Sequence, residues 1–524
     1  MRWLVGQTVR RSKLLVESAA TVLPPVTKNP HRITTTGGTS KMHDYAKFYI
    51  DGEWVEAATS QRQELIDPTT EEAFATVAMA TVEEVDSAVA AARRTFKSYS
   101  QSSLDERYDL INRIIEAYEL RVDDFAQAIA QEVGIPRSAR AQVMGPIEHM
   151  KVARDLLKTY EFEARIGNTI VRRESLGVCA LISPWNWPIQ TTVIKLIYAL
   201  AAGCTVVSKS SINSPVSAIL LTEVLDAAGV PKGVFNMLNG SGRVIGEAMS
   251  RHPDVDMVSF TGSTGAGAQV GETAARTIKR VCLELGGKSA NIVLRDADLE
   301  KAARWNIQRG FFNTGQSCHA PSRMLVHESQ VEQIIPFLVD EANQFRLGDP
   351  RDPSTTMGPI VSRAQFNSIQ RHIQSGIDEG ARLIVGGLGR PEGFERGFFT
   401  RPTVFVDVTP EMTICREEIF GPVLVVVPYS TEAQALEIAN DSPYGLGGYV
   451  FGEDRRKAYE FASGLRAGRI CFNGAPTNSL TPMGGYKESG IGRSMGVFGL
   501  QEYLEIKSVY GFDEEAAALP SLKA

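Results

Sequence analysis

The sequence predicts an α/β protein built on a doubly wound parallel sheet. From Val178 onward, short apolar runs at 178–182, 205–208, 234–238 and 255–260 alternate with longer segments of helical composition. Strands that alternate with helices favour a parallel sheet, because a crossover helix has to connect parallel neighbours. Ligands of such sheets bind at the carboxyl ends of the strands, so residues that follow these runs are candidates for function.

Local signals place the helices between these strands. Helices are predicted near 191–202 and 244–250. Ser214 and Pro215 have the residue types preferred at a helix N-cap and first turn, and Gly229 has the type that ends a helix.

The preceding part of the chain reads as a hairpin followed by helices. The pair Asp51-Gly52 between two short apolar runs is typical of a hairpin turn. Thr81 with Glu84, and Ser103 with Glu106, form two capping boxes that each open a helix. We assign no chemistry to this part.

Composition excludes several classes of protein. The 524 residues exceed one core, so two or three domains are expected. Net charge is 55 − 61 = −6, which argues against a general nucleic-acid binder. No uncharged apolar run reaches membrane-spanning length, and no metal-ligand spacing occurs among the seven histidines. Six cysteines without a CxxC pair fit a reducing compartment, and a cytoplasmic location is expected.

Residues 1–41 differ from the rest of the chain. They contain seven basic residues and one acid, are rich in Ser and Thr, and are predicted to be mostly disordered. This composition fits a mitochondrial-type transit peptide, which would place the protein in the matrix. It equally fits upstream sequence from a misassigned start before Met42, and both interpretations stay open.

Two segments near the ends of the folded region predict a small β extension. Residues 160–176 alternate charged and apolar side chains, which is typical of an exposed hairpin. Residues 503–510 alternate in the same way and are a possible partner strand.

The candidate nucleophile is Cys318. It follows Gly315-Gln316-Ser317 and precedes Pro321, in a run that suits neither a regular helix nor a regular strand. Most free cysteines are buried apolar residues, so this stretch alone does not decide the role of Cys318.

Other polar residues follow the predicted strands. These are Ser183-Pro184-Trp185-Asn186-Trp187-Pro188, then Lys209, then the Gly-rich turn Gly262-Ser263-Thr264-Gly265-Ala266-Gly267, then Glu284-Leu285-Gly286-Gly287, and finally Glu417-Glu418-Ile419-Phe420-Gly421-Pro422-Val423. The Gly-rich turn can bind phosphate at a helix N-terminus. A carboxylate among apolar neighbours, such as Glu284, should have a raised pKa suited to proton transfer.

Together, in this order, these motifs resemble the aldehyde dehydrogenase superfamily of NAD(P)-dependent enzymes, from about residue 49 to about residue 511. The resemblance implies that Cys318 is the nucleophile, that Asn186 and the Cys318 N–H bind the oxyanion, and that Glu284 activates water to hydrolyse a thioester. It implies a cofactor site, for NAD or NADP, formed by Ser183, Trp185, Lys209, Gly262, Ser263, Gly267, Leu285, Glu418 and Phe420. It also implies a substrate pocket that includes Trp187, Phe312 and His319.

The resemblance further implies a domain arrangement. The NAD(P)-binding domain comprises 42–156 and 176–286, and the catalytic domain comprises 287–488. Strands in 157–175 and 502–514 would join subunits into a homodimer or homotetramer.

Cofactor and substrate choice stay open at this stage. Ile212 stands where the family often has a glutamate that binds the adenosine ribose. The loop 473–480 is uncharged, and no arginine is evidently placed for an acidic aldehyde, so a neutral, apolar or aromatic aldehyde is favoured. Because Cys318 and His319 are adjacent, we expect their side chains to point apart, with His319 in the pocket wall. The alternatives are a CoA-acylating relative, which usually lacks the base at Glu284, and a non-catalytic binding protein on the same fold.

Overall fold

The computed structural model describes residues 42–136 and 140–512, so the predictions for residues 1–41 lie outside the described residues. The strands of the first half are β1 (His43–Tyr45), β2 (Lys47–Ile50), β3 (Glu53–Glu56), β4 (Arg62–Asp67), β5 (Glu72–Ala78), β6 (Glu163–Ile166), β7 (Thr169–Ser175), β8 (Val178–Ile182), β9 (Thr205–Lys209), β10 (Phe235–Leu238), β11 (Met257–Thr261) and β12 (Arg280–Glu284). Those of the second half are β13 (Ala290–Val293), β14 (Arg323–His327), β15 (Arg382–Val385), β16 (Thr403–Val406), β17 (Val423–Tyr429), β18 (Gly447–Phe451), β19 (Arg469–Phe472), β20 (Gly490–Ile491) and β21 (Leu504–Tyr510).

Fifteen α-helices connect the strands within the described ranges. They are α1 (Val82–Tyr99), α2 (Leu104–Glu119), α3 (Val122–Glu132), α4 (Ala141–Thr159), α5 (Pro188–Ala202), α6 (Pro215–Ala227), α7 (Glu247–Arg251), α8 (Thr264–Ala275), α9 (Leu299–Phe311), α10 (Val331–Ala342), α11 (Arg363–Asp378), α12 (Thr413–Arg416), α13 (Glu432–Asn440), α14 (Arg455–Ser463) and α15 (Gly496–Glu502). No helix in the described part of the chain is long and apolar enough to cross a bilayer.

The first large sheet has eight strands in the order β20-β12-β11-β8-β9-β10-β2-β3. The five strands from β12 to β10 are parallel to one another, and the edge strands are antiparallel. The order reverses direction along the chain at β8, which is a topological switch point. The sheet therefore has the predicted doubly wound form.

The second large sheet has seven strands in the order β15-β16-β17-β14-β13-β18-β19. All neighbours from β16 to β19 are parallel, and only β15 is antiparallel. Ile292 packs into a hydrophobic cluster on one face of this sheet, and the adjacent Val293 packs into a cluster on the other. Both faces are thus covered, as a parallel sheet requires.

Two smaller sheets complete the fold. The order β21-β7-β6 forms an antiparallel sheet in which β7 pairs with β21 along seven residues. This pairing joins the two segments that the sequence predicted as partners. The other small sheet, β1-β5-β4, was not predicted. The two large sheets take most of their strands from the two predicted domain ranges, whose boundaries stay a prediction.

Most of the predicted local elements are present in the structure. Both capping boxes are present, at the starts of α1 and α2. Asp51 and Gly52 both have positive φ, as a tight hairpin turn requires. Helix α5 begins at Pro188, earlier than predicted, because proline suits the first helical position. The helix predicted near 244–250 is a π turn at Gly242–Gly246 followed by α7.

Candidate active site

A cavity of about 590 Å³ lies where the carboxyl ends of the first sheet face the loop between α9 and β14. Trp185, Asn186 and Trp187 reach it from the end of β8. Glu284 and Leu285 reach it from the end of β12, and Cys318 and His319 from the facing loop. The strand ends predicted to carry function therefore meet at one place.

The loop before Cys318 has an unusual backbone. Asn313, Thr314 and Gly315 all have positive φ, at 57°, 54° and 70°. For Asn313 and Thr314 this conformation costs on the order of 1–3 kcal/mol each, so surrounding contacts have to hold it. The Asn313 amide donates to the Asn186 carbonyl (2.9 Å), and the Thr314 hydroxyl donates to the Gly358 carbonyl (3.1 Å).

Glycines in the separate motifs allow the motifs to approach one another closely. A Cβ on Gly315 would lie 2.2 Å from the carbonyl carbon of Gly421. A Cβ on Gly286 would lie 2.4 Å from a carboxylate oxygen of Glu418, and the Gly287 N–H donates to Glu418 at 3.0 Å. Gly315 thus meets the backbone near Gly421, and Gly286 and Gly287 meet the Glu418 side chain, at distances that leave no room for a Cβ at Gly315 or Gly286.

Asn186 is fixed beside the nucleophile loop. Its side-chain amide donates to the Gln316 carbonyl at 3.0 Å, and its own carbonyl accepts from Asn313. Trp187 donates from its indole N–H to the Ser317 hydroxyl at 3.0 Å. One amide hydrogen of Asn186 has no partner in these contacts and can be offered to a ligand oxygen.

Cys318 is half-buried at the cavity surface. Burial raises the pKa of the Cys318 thiol to about 12, and the carboxylates of Glu418 and Glu284 act in the same direction. The thiol is therefore protonated at physiological pH.

The expectation that the side chains of Cys318 and His319 point apart is wrong. The Cys318 Sγ lies 3.9 Å from His319 Nδ1. Burial, together with the positive charges of Arg469 and Arg309, holds the pKa of His319 well below its usual range. His319 is therefore a neutral residue of the cavity wall and cannot supply an imidazolium to stabilise a thiolate.

Glu284 is a buried carboxylate with one free oxygen. Its Oε1 accepts from the Ser494 hydroxyl at 2.9 Å, and its Oε2 is buried without a hydrogen-bond partner. Burial raises the pKa of Glu284, while the neighbouring Lys195 opposes that rise. Such an oxygen, facing a cavity that also holds Cys318, can accept a proton from a water molecule.

Lys195 is a site residue that sequence reasoning missed. It lies on the buried face of α5, lines the cavity and donates to the Thr261 hydroxyl. A lysine in a helix that is otherwise almost wholly apolar was the available signal, because a buried charge needs a partner.

Six of the predicted cofactor residues line the cavity. They are Trp185, Gly262, Ser263, Leu285, Glu418 and Phe420. Trp185 and Phe420 meet edge to face, with ring centroids 5.4 Å apart, and Ser263 is the N-cap of α8. The N–H groups of the first turn of α8 can bind phosphate.

Four predicted site residues do not line this cavity. Ser183 and Lys209 are buried at the ends of β8 and β9, Gly267 packs against Leu285, and Phe312 stacks on Trp187 behind the cavity wall. Burial lowers the pKa of Lys209 to about 8. The roles of all four stay predictions.

Other cavity residues were not predicted. Arg309 and Arg469 line the cavity, although no arginine was evident from the sequence as a partner for an acidic aldehyde. Glu148, His149 and Gln190 line it from α4 and α5. Among the described residues no cluster of His, Cys, Asp and Glu could hold a metal ion.

Comparison with known proteins identifies the family. The profile of the aldehyde dehydrogenase family matches residues 54–509. A 3-succinoylsemialdehyde-pyridine dehydrogenase of a Pseudomonas species is 47% identical over 475 residues, which is 90% of this chain and 100% of the relative. A putative aldehyde dehydrogenase of Staphylococcus aureus strain MSSA476 is 45% identical over 474 residues, again 90% of this chain and 100% of the relative.

Solved structures that resemble this chain point to the same family. A cysteine-to-alanine mutant of Pseudomonas syringae aldehyde dehydrogenase C, in complex with NAD⁺ and octanal, has 47% identity and a TM-score of 0.89, covering 90% of this chain and 97% of its own. A Mycobacterium tuberculosis aldehyde dehydrogenase complexed with NAD⁺ has 39% identity and a TM-score of 0.87, covering 90% and 99%. These findings confirm the predicted fold class and enzyme class, and the chain belongs to the aldehyde dehydrogenase family.

Proposed function

We propose that this enzyme oxidises an aldehyde to a carboxylic acid through a covalent intermediate on Cys318, with NAD or NADP as the oxidant. The observation that carries the proposal is the meeting of Cys318, Asn186 and Glu284 in one cavity whose other wall carries Trp185, Ser263, Glu418 and Phe420.

Cys318 and Asn186 would carry out the first step. The Cys318 thiol releases its proton to solvent, and the resulting thiolate attacks the aldehyde carbon to form a thiohemiacetal whose oxygen carries the negative charge. The free amide hydrogen of Asn186 and the Cys318 N–H would stabilise the oxyanion. Hydrogen bonds from Asn186 to Gln316 and from Asn313 to Asn186 hold this donor in place before substrate arrives.

The cavity residues fit a dinucleotide. Ser263 and the first turn of α8 suit the pyrophosphate, and the Glu418 carboxylate suits ribose hydroxyls. The buried hydroxyl oxygens of Ser183 and Ser210, at the ends of β8 and β9, have no hydrogen-bond partner, although neither residue lines the cavity. The nicotinamide, when bound, supplies the hydride acceptor that converts the thiohemiacetal to a thioester.

Glu284 would complete the reaction. Its unpartnered Oε2 takes a proton from water, which then hydrolyses the thioester and releases the acid. Ser494 orients the carboxylate through Oε1, and Lys195 partly offsets the cost of its charge.

The residue at position 212 bears on the choice between NAD and NADP. Ile212 has no carboxylate to repel a 2′-phosphate, and Ser210 nearby has a free hydroxyl. The proposal therefore includes NADP as well as NAD. The relatives complexed with NAD⁺ support dinucleotide binding in general.

We further propose that the enzyme is an oligomer and that it is cytoplasmic. The β21-β7-β6 sheet leaves apolar side chains exposed at Ile166, Ile506 and Tyr510, at 68%, 69% and 80%. Exposed apolar side chains on a small sheet suit contact with another subunit. The six cysteines are all unpaired, which suits a reducing compartment.

A steady-state scan of an aldehyde panel tests this function. The formation of reduced nicotinamide is followed at fixed enzyme concentration, with NAD⁺ and NADP⁺ in parallel, for wild type and Cys318→Ala. We expect turnover in wild type and its loss in the variant, with circular dichroism showing that the variant is folded. Turnover that appears only when CoA is added would indicate the CoA-acylating alternative. Equal turnover in Cys318→Ala would contradict the proposal.

A further inference from the structure

Two guanidinium groups lie in the part of the cavity that borders Cys318. Arg309 projects from the last turns of α9, and Arg469 is the first residue of β19. Both line the cavity, and both are partly buried. The Nη2 atom of Arg309 lies 3.5 Å from His319 Nε2, so at least one of the two groups is adjacent to the residue that follows the nucleophile.

Neither guanidinium forms an ion pair within residues 42–136 and 140–512. Arg304, on the same helix as Arg309, pairs with Glu300 at 2.9 Å and with Glu341 at 2.8 Å. The groups that interact with Arg469 are Tyr449, which hydrogen-bonds to its guanidinium, Cys471 and Cys318, and none of the three carries a carboxylate. Partly desolvated cations without a counter-ion are costly, so this pair is well prepared for an anion that arrives with a ligand.

The neighbouring side chains do not provide that anion. His319 is held neutral, and the Tyr449 hydroxyl is occupied because it donates to the His319 carbonyl at 2.6 Å. Glu284 and Glu418 lie in the same cavity, but they interact with Lys195 and with the Gly287 N–H. Glu148 is an exposed acid whose nearest described contact is the Ser479 hydroxyl, at 3.4 Å.

We propose that the substrate is an aldehyde that carries a second, anionic group, most simply a carboxylate, which Arg309 and Arg469 bind while Cys318 attacks the aldehyde carbon. This inference rests on the function proposed above and names its substrate class. A planar guanidinium binds a carboxylate through two parallel hydrogen bonds, and two such groups suit one carboxylate better than they suit a hydrocarbon chain. The proposed substrate differs in charge from octanal, the neutral aldehyde in the complex of the Pseudomonas syringae relative.

Chain-matched pairs of aldehydes provide the test. The value of kcat/KM is measured for succinate semialdehyde against butanal, and for glutarate semialdehyde against pentanal, with wild type, Arg309→Gln and Arg469→Gln. We expect kcat/KM of wild type to be higher for the acidic member of at least one pair by about tenfold or more. A ratio of that size corresponds to the free energy of about one charge-assisted hydrogen bond. Each variant should lose about that preference while kcat/KM for the neutral aldehyde changes by less than about threefold.

Controls separate this role from others. Arg309→Lys should retain part of the preference, and Lys301→Gln removes an exposed positive charge from the same helix and should leave the preference unchanged. If Arg469 instead acts on the Cys318 thiol, its replacement will slow acidic and neutral aldehydes equally, and that result would overturn its substrate role. A wild type that prefers butanal and pentanal would overturn the inference and leave the proposed function standing.

A binding measurement covers the case without turnover. Isothermal titration calorimetry compares glutarate with its uncharged diamide, glutaramide, on wild type and on the two arginine variants. Binding of glutarate that depends on both arginines supports the inference even if no aldehyde is oxidised. Equal binding of glutarate and glutaramide, or equal binding of glutarate to the variants and to wild type, contradicts it.

Discussion

At the scale of single residues, the protonation state of Cys318 yields a prediction. Because its raised pKa of about 12 keeps the thiol protonated near neutral pH, the thiolate fraction should grow about tenfold per pH unit up to the pKa. We expect the rate constant for alkylation by iodoacetamide, in cofactor-free enzyme, to rise in this way between pH 7 and pH 10.

Intact-mass time courses measure that rate, with Cys318→Ser as the control for other cysteines and circular dichroism as the control for folding at high pH. A rate that levels off near pH 8 would contradict this expectation, because it would show that the free enzyme already holds a reactive thiolate.

The site residues that stand in motifs could be predicted from the sequence, but the charged residues around them could not. Asn186, Glu284 and Cys318 stand in short runs of unusual composition, which is why the sequence alone pointed to them. Lys195, Arg309 and Arg469 are ordinary charged residues in regular elements. Only the packing of α5, α9 and β19 around one cavity shows that these three side chains share it. Long-range packing of this kind leaves no local pattern to detect.

At the scale of elements, the alternation of apolar runs with helical segments predicted the strands and helices of the first sheet. Strands β8 to β11 and helix α6 formed close to their predicted ranges, since each is bounded by a local signal such as Pro215 or Gly229. The β1-β5-β4 sheet escaped prediction because β1 pairs with β5 across the hairpin and β4, a non-local contact. The conformation of 313–315 escaped as well, because its positive φ values depend on contacts with Asn186 and Gly358.

The β21-β7-β6 sheet carries the prediction at this scale. Ile506 is 69% exposed on β21, and an acid in its place would put a charge into any subunit contact made there. We expect wild type to be a dimer or tetramer and Ile506→Asp to shift toward smaller species, as measured by size-exclusion chromatography with light scattering. Ile278→Asp is the matched control, since Ile278 is 93% exposed outside this sheet. An unchanged mass for Ile506→Asp would place the contact elsewhere.

At the scale of the whole molecule, the site exists because separate parts of the fold meet. The first sheet supplies Asn186 and Glu284, the segment before the second sheet's β14 supplies Cys318, and Ser494 returns near the C-terminal end to hold Glu284. Gly315 lets its loop approach the backbone of Gly421, and Gly287 lets the segment after β12 approach the carbonyl of Cys318. The chemistry thus depends on tertiary contact between motifs that are far apart in the chain.

In the proposed reaction, Cys318 carries the acyl group and Glu284 releases it. Intact mass spectrometry of Glu284→Gln, mixed with NAD⁺ or NADP⁺ and the best aldehyde of the panel, tests this directly. Because Gln cannot accept the proton from water, we expect about one equivalent of reduced cofactor and little further turnover. The protein mass should increase by one acyl group, and that group should map to Cys318. Wild-type turnover in this variant without an adduct, or an adduct on another cysteine, would contradict the proposed reaction.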